Sequence, residues 1–247
     1  MTTLVEYFGG AYLINLPERK DRLNRVKKEL ARVGWEIGGN GVQIFPAFKF
    51  SERAGFPNAG ARGCFLSHLE CMRRSHAEKR RGVLLLEDDI SFSSSLNRLT
   101  PSIISQLDSI EWDLVFIGHH GTGDIPDARL NTMPDELEFI LWSAEIRGNH
   151  FYAISGRILS RLIGDLERHI NGVEGDQEYG PMPVDGAINI FRRNNPNVRT
   201  LVIRPKLGWQ ASSRSDITPR PFDGISWLQP FIRALRIVKA AIIQWYS

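Results

Sequence analysis

Three consecutive acidic residues, Glu87, Asp88 and Asp89, directly follow an uninterrupted apolar run at residues 83–86. Such a run is typical of a strand buried on both faces of a parallel sheet. In an open α/β sheet, ligands bind beyond the carboxyl ends of the strands. A hard divalent cation would relieve the repulsion between adjacent carboxylates and leave coordination positions for phosphate oxygens. The cluster therefore predicts a metal site, with a solvated acidic turn as the alternative.

A second group of candidate binding residues lies at the end of the first apolar run, residues 11–16. Asn15 lies near the end of this run, and Arg19 and Arg22 follow it at the start of a charged segment. One amide and two guanidinium groups near a helix N-terminus are suited to binding an anion or a nucleotide. A solvated first helical turn with local ion pairs is equally compatible with these residues.

Histidines and cysteines give weaker signals. Two adjacent histidines in the segment GHHG at 118–121 would point in different directions on a strand or helix, which favours a polar loop at a strand end over a metal site. His68 fits both a buried hydrogen-bonded residue and a site residue. Cys64 and Cys71 lie about two turns apart on a predicted helix, too far for a disulfide. We interpret them as small apolar core residues in a reducing compartment.

Composition and missing motifs exclude several classes of protein. The chain has no GxxxxGK[ST] loop and no GxGxxG fingerprint, so neither a P-loop nor a Rossmann dinucleotide site is supported. Its 247 residues are 42% hydrophobic and 24% charged, with a net charge of +3. This composition suits one domain and argues against a dedicated nucleic-acid-binding protein. No signal-peptide pattern and no uncharged apolar stretch of about 18 residues is present, so we expect a cytoplasmic protein.

The elements that must position these residues alternate between strands and helices. Apolar runs predict strands at 11–16, 42–45, 83–86, 113–117, 151–154 and 201–203. Helical periodicity predicts helices at 18–33, 64–80 and 156–170, with an exposed loop at 51–63. This order predicts an α/β fold with an open, mostly parallel sheet and helices on both faces.

The last part of the chain differs in composition from the rest. Residues 1–220 are predicted to form the α/β domain, and residues 221–247 a basic, aromatic amphipathic helix. Docking of this helix on an anionic membrane surface, peripherally at the inner face of the membrane, and packing of the helix on the domain are comparable alternatives.

Four segments in the first half of the chain carry a resemblance to a known family. They are YLINL at 12–16 with the arginines that follow it, FPA at 45–47, GCFLSH at 63–68 and LLLEDDI at 84–90. In residues, order and spacing the sequence resembles glycosyltransferase family 25, which contains bacterial lipooligosaccharide β-galactosyltransferases and the collagen galactosyltransferase domains. The second half matches more loosely, through GNHFYAIS at 148–155, PVD at 183–185 and SRSDI at 213–217.

The resemblance implies a GT-A-like fold and inverting transfer of a hexose, with galactose expected, from a UDP-sugar to a lipopolysaccharide, lipooligosaccharide or other surface-glycan acceptor. It also implies Mn²⁺ or Mg²⁺ at Asp89 and Glu87, where the ion would offset the charge of the leaving diphosphate. The residues implied in binding the nucleotide sugar are Asn15, Leu16, Arg19, Arg22, Ala47, Ser67, His68, Glu87, Asp88 and Arg214.

Inverting transfer also needs a carboxylate that takes the acceptor's proton. Asp185, after a strand-like apolar approach and before a helix, is the candidate, with an ordinary helix N-cap as the alternative.

A catalytically inactive nucleotide-sugar or glycan-binding protein of the same fold is the rival function. A phosphoryl-transfer enzyme or nuclease using the same acids is a further one, but the sequence offers no second acidic cluster for a two-metal site. We expect a nucleotide sugar and a glycan or glycolipid as partners, and no nucleic acid.

Overall fold

The computed structural model describes residues 2–121, 128–133 and 137–211. The predicted C-terminal helix at 221–247, the domain boundary at residue 220 and Arg214 lie outside the described residues. The described helices are α1 (Leu4–Phe8), α2 (Lys20–Arg32), α3 (Ala59–Ala77), α4 (Leu96–Ser109), α5 (Gly156–Asn171) and α6 (Val184–Asn194). The described strands are β1 (Ala11–Asn15), β2 (Val42–Pro46), β3 (Gly82–Glu87), β4 (Ile90–Phe92), β5 (Leu114–Gly121), β6 (Ala128–Met133), β7 (Leu137–Leu141), β8 (Ile146–Ser155), β9 (Thr200–Arg204) and β10 (Gly208–Gln210).

Eight of the described strands form one mixed sheet in the order β2-β1-β3-β8-β5-β9-β7-β6. β1 is parallel to β2 and β3, and β5 is parallel to β9, whereas β8 and β7 run against their neighbours. Within this described sheet all strands except β7 and β8 therefore point the same way. The predicted open, mostly parallel sheet is confirmed. β4 and β10 form a separate two-stranded ladder.

Helices cover both faces of the sheet, as predicted. Ala11 and Leu13 of β1 belong to one core with residues of α1, α2 and α4, whereas Tyr12 and Ile14 belong to a second core with residues of α3, α5 and α6. This follows from the pleat, which sends successive side chains of a strand to opposite faces. A functional group on a helix therefore reaches the side of the sheet that its helix covers. A functional group on a strand reaches one side or the other according to its position in the alternation.

Two local predictions differ from the structure. α3 begins at Ala59, five residues before the predicted start, because the Asn58 side chain accepts a hydrogen bond from the backbone N–H of Ala61 at 2.8 Å and caps the helix. The segment at 118–121 is not a loop, because β5 continues through it and pairs with β8. The register of that pairing shifts on both sides of Gly118, an irregularity that a strict alternation pattern does not reveal.

Two further features concern membranes and thiols. Among the residues described, no helix combines the length and the apolar character that crossing a bilayer would take. Cys64 and Cys71 are both free thiols on α3. Cys71 is a core residue, as predicted, but Cys64 is partly exposed and lines a cavity. Cys64 still packs against the core under α3, so its interpretation as a core residue is only partly confirmed.

Candidate active site

The carboxyl ends of β1 and β3 bring the predicted site residues together. These strands are parallel neighbours with Ile14 opposite Glu87, so Asn15 lies beside the acidic turn. The chain leaves β1 through α2 toward β2 on one side, and it leaves β3 toward the other side of the sheet. Such a change of direction opens a crevice beyond the strand ends, where ligands bind in α/β proteins.

The three acids lie at this crevice, with Asp88 buried and Glu87 and Asp89 partly exposed, and they face different sides of the sheet. Asp88 is only 5% exposed, so the alternative of a solvated acidic turn was wrong. Leu84 and Leu86 pack in the core under α2, whereas Val83 and Leu85 pack in the core under α3. The alternation continues into the acids: Asp88 contacts residues of α2, and Glu87 contacts a residue of α3.

On the α2 side, Asp88 is fully engaged by polar partners. Its carboxylate accepts hydrogen bonds from Asn15 Nδ2 and Arg22 Nη1, both at 2.7 Å, and its carbonyl accepts one from Arg25 Nη2 at 3.0 Å. Burial nevertheless raises the pKa of Asp88, with the Arg22 charge acting against that rise. Asn15 and Arg22 are thus bound to the acid. Arg19 instead forms a local ion pair with Asp21 at 3.0 Å.

On the α3 side, Glu87 has an amide and an imidazole as its polar neighbours. Its carboxylate accepts a hydrogen bond from Gln210 Nε2 at 2.9 Å, and His68 Nε2 lies 3.5 Å from its other oxygen. Burial acts to raise the pKa of Glu87, but His68, His150 and Gln210 outweigh it and hold this pKa below its ordinary value. His68 is fully buried and its Nδ1 is 2.9 Å from the Tyr152 hydroxyl. His68 is therefore a buried hydrogen-bonded residue that also lines the cavity described below.

Asp89 has the chemical environment expected of a cation ligand. Its Oδ1 is buried and has no hydrogen-bond partner among the described residues, and its Oδ2 is 3.6 Å from Arg22 Nη1. Burial and the charge of Glu87 raise the pKa of Asp89 to about 7. The carbonyl of Asp89 accepts a hydrogen bond from the backbone of Ala211 at 2.7 Å, which fixes the turn. An unsatisfied carboxylate oxygen beside a second carboxylate fits a divalent cation with oxygen ligands.

A cavity of about 310 Å³ opens over the acids. Its lining includes seven of the residues proposed from the sequence: Leu16, Arg22, Ala47, His68, Glu87, Asp88 and Asp89. Asn15, Arg19 and Ser67 are not among its lining residues. The sequence-based selection missed further lining residues, among them Phe48, Lys49, Phe50, Cys64 and Gln210. Cys64 carried a usable signal, because it precedes His68 by four residues and so shares its helix face.

Ser67 holds one wall of this cavity in place. Its hydroxyl donates to the Gly63 carbonyl at 2.6 Å and accepts from the backbone N–H of Phe48 at 2.9 Å. The approach of the two segments requires glycine at position 63, because a Cβ there would lie 2.3 Å from the Phe48 carbonyl oxygen. Ser67 thus contacts the cavity wall from behind.

Asp185 lies in the first turn of α6, whose N-cap is Pro183, so the N-cap interpretation was wrong. The segment between α5 and α6 consists of turns and bends, so the strand-like approach was also wrong. Asp185 Oδ2 accepts a hydrogen bond from the backbone N–H of Gly148 at 3.4 Å. Because β8 runs antiparallel to β3, its early residues reach the same sheet edge as the acids. After burial and Glu87, Asp185 is the next cause of the raised pKa of Cys64, so its charge acts at the cavity.

Comparison with known proteins adds a sequence relationship. No protein-family profile matches the chain. A glycosyltransferase 25 family member from Aedes aegypti is 24% identical over 226 residues, which make up 81% of this chain and 34% of that protein. Procollagen galactosyltransferase 1-B from Xenopus laevis is 25% identical over 129 residues, 45% of this chain and 21% of that protein. The predicted resemblance to glycosyltransferase family 25 is confirmed.

The chain spans about a fifth to a third of the length of these family 25 relatives. Among solved structures, a glycosyltransferase involved in the glycosylation of the major capsid of PBCV-1 aligns with 83% of this chain and 93% of its own, at a TM-score of 0.48 and 10% identity.

Proposed function

We propose that this protein is an inverting, metal-dependent glycosyltransferase that moves a hexose, galactose in the first instance, from a UDP-sugar to a surface-glycan or glycolipid acceptor. The observation that carries the proposal is the unsatisfied, buried Oδ1 of Asp89 beside Glu87 in the cavity at the sheet edge. The sequence similarity to glycosyltransferase 25 family proteins supports the reaction class.

Asp89 and Glu87 would hold Mn²⁺ or Mg²⁺, which supplies Lewis-acid stabilisation of the departing diphosphate. Asp88 has a different task in this proposal. By accepting hydrogen bonds from Asn15 and Arg22, it fixes the Arg22 guanidinium at the cavity. Arg22 and Lys49 then provide positive charge beside the acids, where a diphosphate needs it.

The aromatic wall suits a nucleobase. Phe48 is 41% exposed, and its ring lies 6.3 Å from that of Phe50, with both residues lining the cavity. Exposed aromatic faces at a cavity wall offer stacking surface to a flat heterocycle. The donor would therefore extend from the phenylalanines to the acids, with its diphosphate at the acidic end.

Asp185 is the proposed general base. In the reaction, a bond forms between the acceptor oxygen and the anomeric carbon while the bond from that carbon to the diphosphate oxygen breaks. The acceptor's proton passes to the Asp185 carboxylate, and the diphosphate leaves with the electron pair. The hydrogen bond from Gly148 holds Asp185 at this edge of the sheet, as positioned proton transfer requires.

Transfer from UDP-hexoses tests the proposal, measured as UDP released and as label in a glycan acceptor, with and without Mn²⁺. Asp89→Asn is expected to lower metal-stimulated turnover on the order of 10³-fold, because several kcal/mol of charge stabilisation are lost. Asp185→Asn is expected to lower kcat about 10²- to 10⁴-fold while donor binding persists. Asp21→Asn, which changes an exposed acid in the first turn of α2, is the control. Equal turnover in Asp89→Asn and wild type would remove the metal assignment.

The inactive-protein alternative has its own signature. UDP binding in calorimetry with no transfer or hydrolysis over long incubation would identify a nucleotide-sugar-binding protein.

For the C-terminal segment, we propose that residues 221–247 dock on anionic lipid. A chain ending at residue 220 should then sediment less with anionic liposomes than the full chain, and undiminished sedimentation would exclude docking by this segment.

A further inference from the structure

We propose that Cys64, His68 and Glu87 form a site for a thiophilic divalent cation, Zn²⁺ in the first instance, distinct in chemistry from the oxygen site at Asp89. One ligand atom from each of the three residues lies within 4.8 Å of the other two. The set combines a thiol sulfur, an imidazole nitrogen and a carboxylate oxygen, which are the three ligand types that proteins use for zinc. This cation site goes beyond the proposed transfer reaction, because binding of the ion does not depend on that reaction.

The separations are compatible with one ion. Bonds of about 2.0–2.3 Å in a tetrahedral site place its ligands roughly 3.5 Å apart. His68 Nε2 and the nearer Glu87 oxygen are already 3.5 Å apart. Cys64 precedes His68 by one helical turn on α3, so a rotation of its short side chain changes the remaining distances without moving the backbone.

His68 is arranged like a metal ligand, with one ring nitrogen hydrogen-bonded and the other facing the site. Its ring is fully buried, and its Nε2 has no hydrogen-bond partner among the described residues. Its Nδ1 is engaged by the Tyr152 hydroxyl at 2.9 Å, and the two rings stack at a centroid distance of 5.9 Å. A hydrogen bond on the far nitrogen, which fixes the ring and leaves the near nitrogen for the ion, is the usual outer-shell feature of zinc-bound histidines.

Glu87 is also held from behind, since Gln210 donates to one oxygen and leaves the other toward His68. The fourth coordination position would face the cavity that all three residues line. A soft thiolate ligand favours Zn²⁺ or Cd²⁺ over Mn²⁺ and Mg²⁺, which prefer oxygen. Because Glu87 would serve both ions, a thiophilic cation is expected to compete with the hard cation at Asp89. That competition alone rests on the proposed function.

Titration of the metal-free protein with Zn²⁺ or Cd²⁺ alone tests the site. Calorimetry should detect one bound Zn²⁺, and Cd²⁺ should give a thiolate-to-metal charge-transfer band. Cys64→Ser is expected to lower the affinity by about 100-fold or more, since loss of an outer-shell partner alone costs 10- to 100-fold, and to abolish the band. Cys71→Ser is the matched control on the same helix, because Cys71 lies in the core; it should keep both signals.

A second variant separates this inference from the proposed function. Asp89→Asn should retain the Cd²⁺ band while losing Mn²⁺ binding, whether or not the protein transfers sugar. X-ray absorption of Zn²⁺-loaded wild type requires no variant and should reveal one sulfur ligand at about 2.3 Å. An oxygen- and nitrogen-only shell, or a Cd²⁺ band that persists in Cys64→Ser and disappears in Cys71→Ser, would overturn the assignment.

Discussion

The acidic turn has two flanks, an α2 flank around Asp88 and an α3 flank around Glu87. The two residues are consecutive at one strand end, yet their electrostatic surroundings are opposite in character. On the α2 flank, Asp88 is surrounded by donors, two of them guanidinium groups. On the α3 flank, Glu87 faces an amide, an imidazole and a thiol. The pleat of β3 alone separates them. Adjacent carboxylates in a sequence are therefore not interchangeable when they follow a buried strand.

This difference in electrostatic surroundings implies that the two flanks have different roles. On the α2 flank, guanidinium groups neutralise the charge of Asp88. This flank therefore stabilises the folded structure and fixes the position of Arg22. The α3 flank places the charge of Glu87 near Asp89, and this charge and burial raise the pKa of Asp89, although Arg22 lies 3.6 Å from its Oδ2 and acts against that rise. An excess of carboxylate in a cavity is relieved by binding cations. Substitutions on the α2 flank should thus act on stability first, and substitutions on the α3 flank on ligand binding.

The largest expected effect on stability is that of Asp88→Ala. The side chains of Asp88 and Arg22 are 8% and 12% exposed, and removing one partner of a buried ion pair costs about 3–5 kcal/mol, because the other charge is left buried. Urea denaturation without metal measures this change. Asp21→Ala, which removes an acid that is 67% exposed from its pair with Arg19, should change the free energy of unfolding by less than about 1 kcal/mol.

The double variant Asp88→Leu with Arg22→Met sharpens the test of the α2 flank. Replacing both buried charges by apolar groups is often close to neutral, so the double variant should be more stable than Asp88→Ala. If Asp88→Ala unfolds at the same urea concentration as wild type, the buried pair does not stabilise the fold, and the comparison between the flanks fails.

The α2 flank and the sheet that supports it were largely predictable from sequence. The apolar run of β3, its parallel partner β1 and the helical period of α2 are local patterns, and together they place Asn15 near the acids. The opposite flank depends on contacts between distant segments. Gln210 reaches Glu87 from 123 residues away, and no local pattern in the sequence marks it.

The supporting residue Tyr152 was within a recognised strand, but its role as a partner of His68, 84 positions away, depends on β8 pairing beside β3. The end of β5 was wrongly predicted as a loop because its pairing with β8 is irregular. Strands added by long-range pairing are thus the parts that single-sequence periodicity does not determine.

The next largest effect is expected in acid, at His119 of β5 and His150 of β8. Burial, together with the charges of Lys206 and neighbouring histidines, lowers the pKa of His119 to about 3, and burial lowers that of His150 to about 4. Both rings are therefore neutral when folded and take up protons more readily when unfolded. Their contribution to stability is complete above about pH 6.5 and is lost as the pH falls toward these values.

For His119 the loss should reach about 2 kcal/mol near pH 5. The largest charge contributions to this lowered pKa come from basic groups of the described residues, namely Lys206, His150, His120 and Arg204. His119→Gln should flatten the decline in unfolding free energy between about pH 6.5 and pH 5, measured by urea denaturation at each pH. The exposed His76→Gln on α3 is the control and should leave the slope unchanged. An equally steep decline in His119→Gln would show that other groups govern the acid sensitivity.

The smallest expected effect separates the α3 flank from the rest of its own core. Tyr12 and Tyr152 are both buried in the core under α3, but the Tyr12 hydroxyl contacts Glu78, an exposed acid, whereas the Tyr152 hydroxyl contacts the buried His68. Tyr152→Phe leaves an imidazole nitrogen without its partner and should cost about 1 kcal/mol, whereas in Tyr12→Phe water replaces the hydroxyl and the cost should be less than half of that. Thermal and urea unfolding of the two variants measure the difference. Equal destabilisation would mean that the Tyr152 hydroxyl does not fix His68, and the α3 flank would then lack the rigidity that a cation site requires.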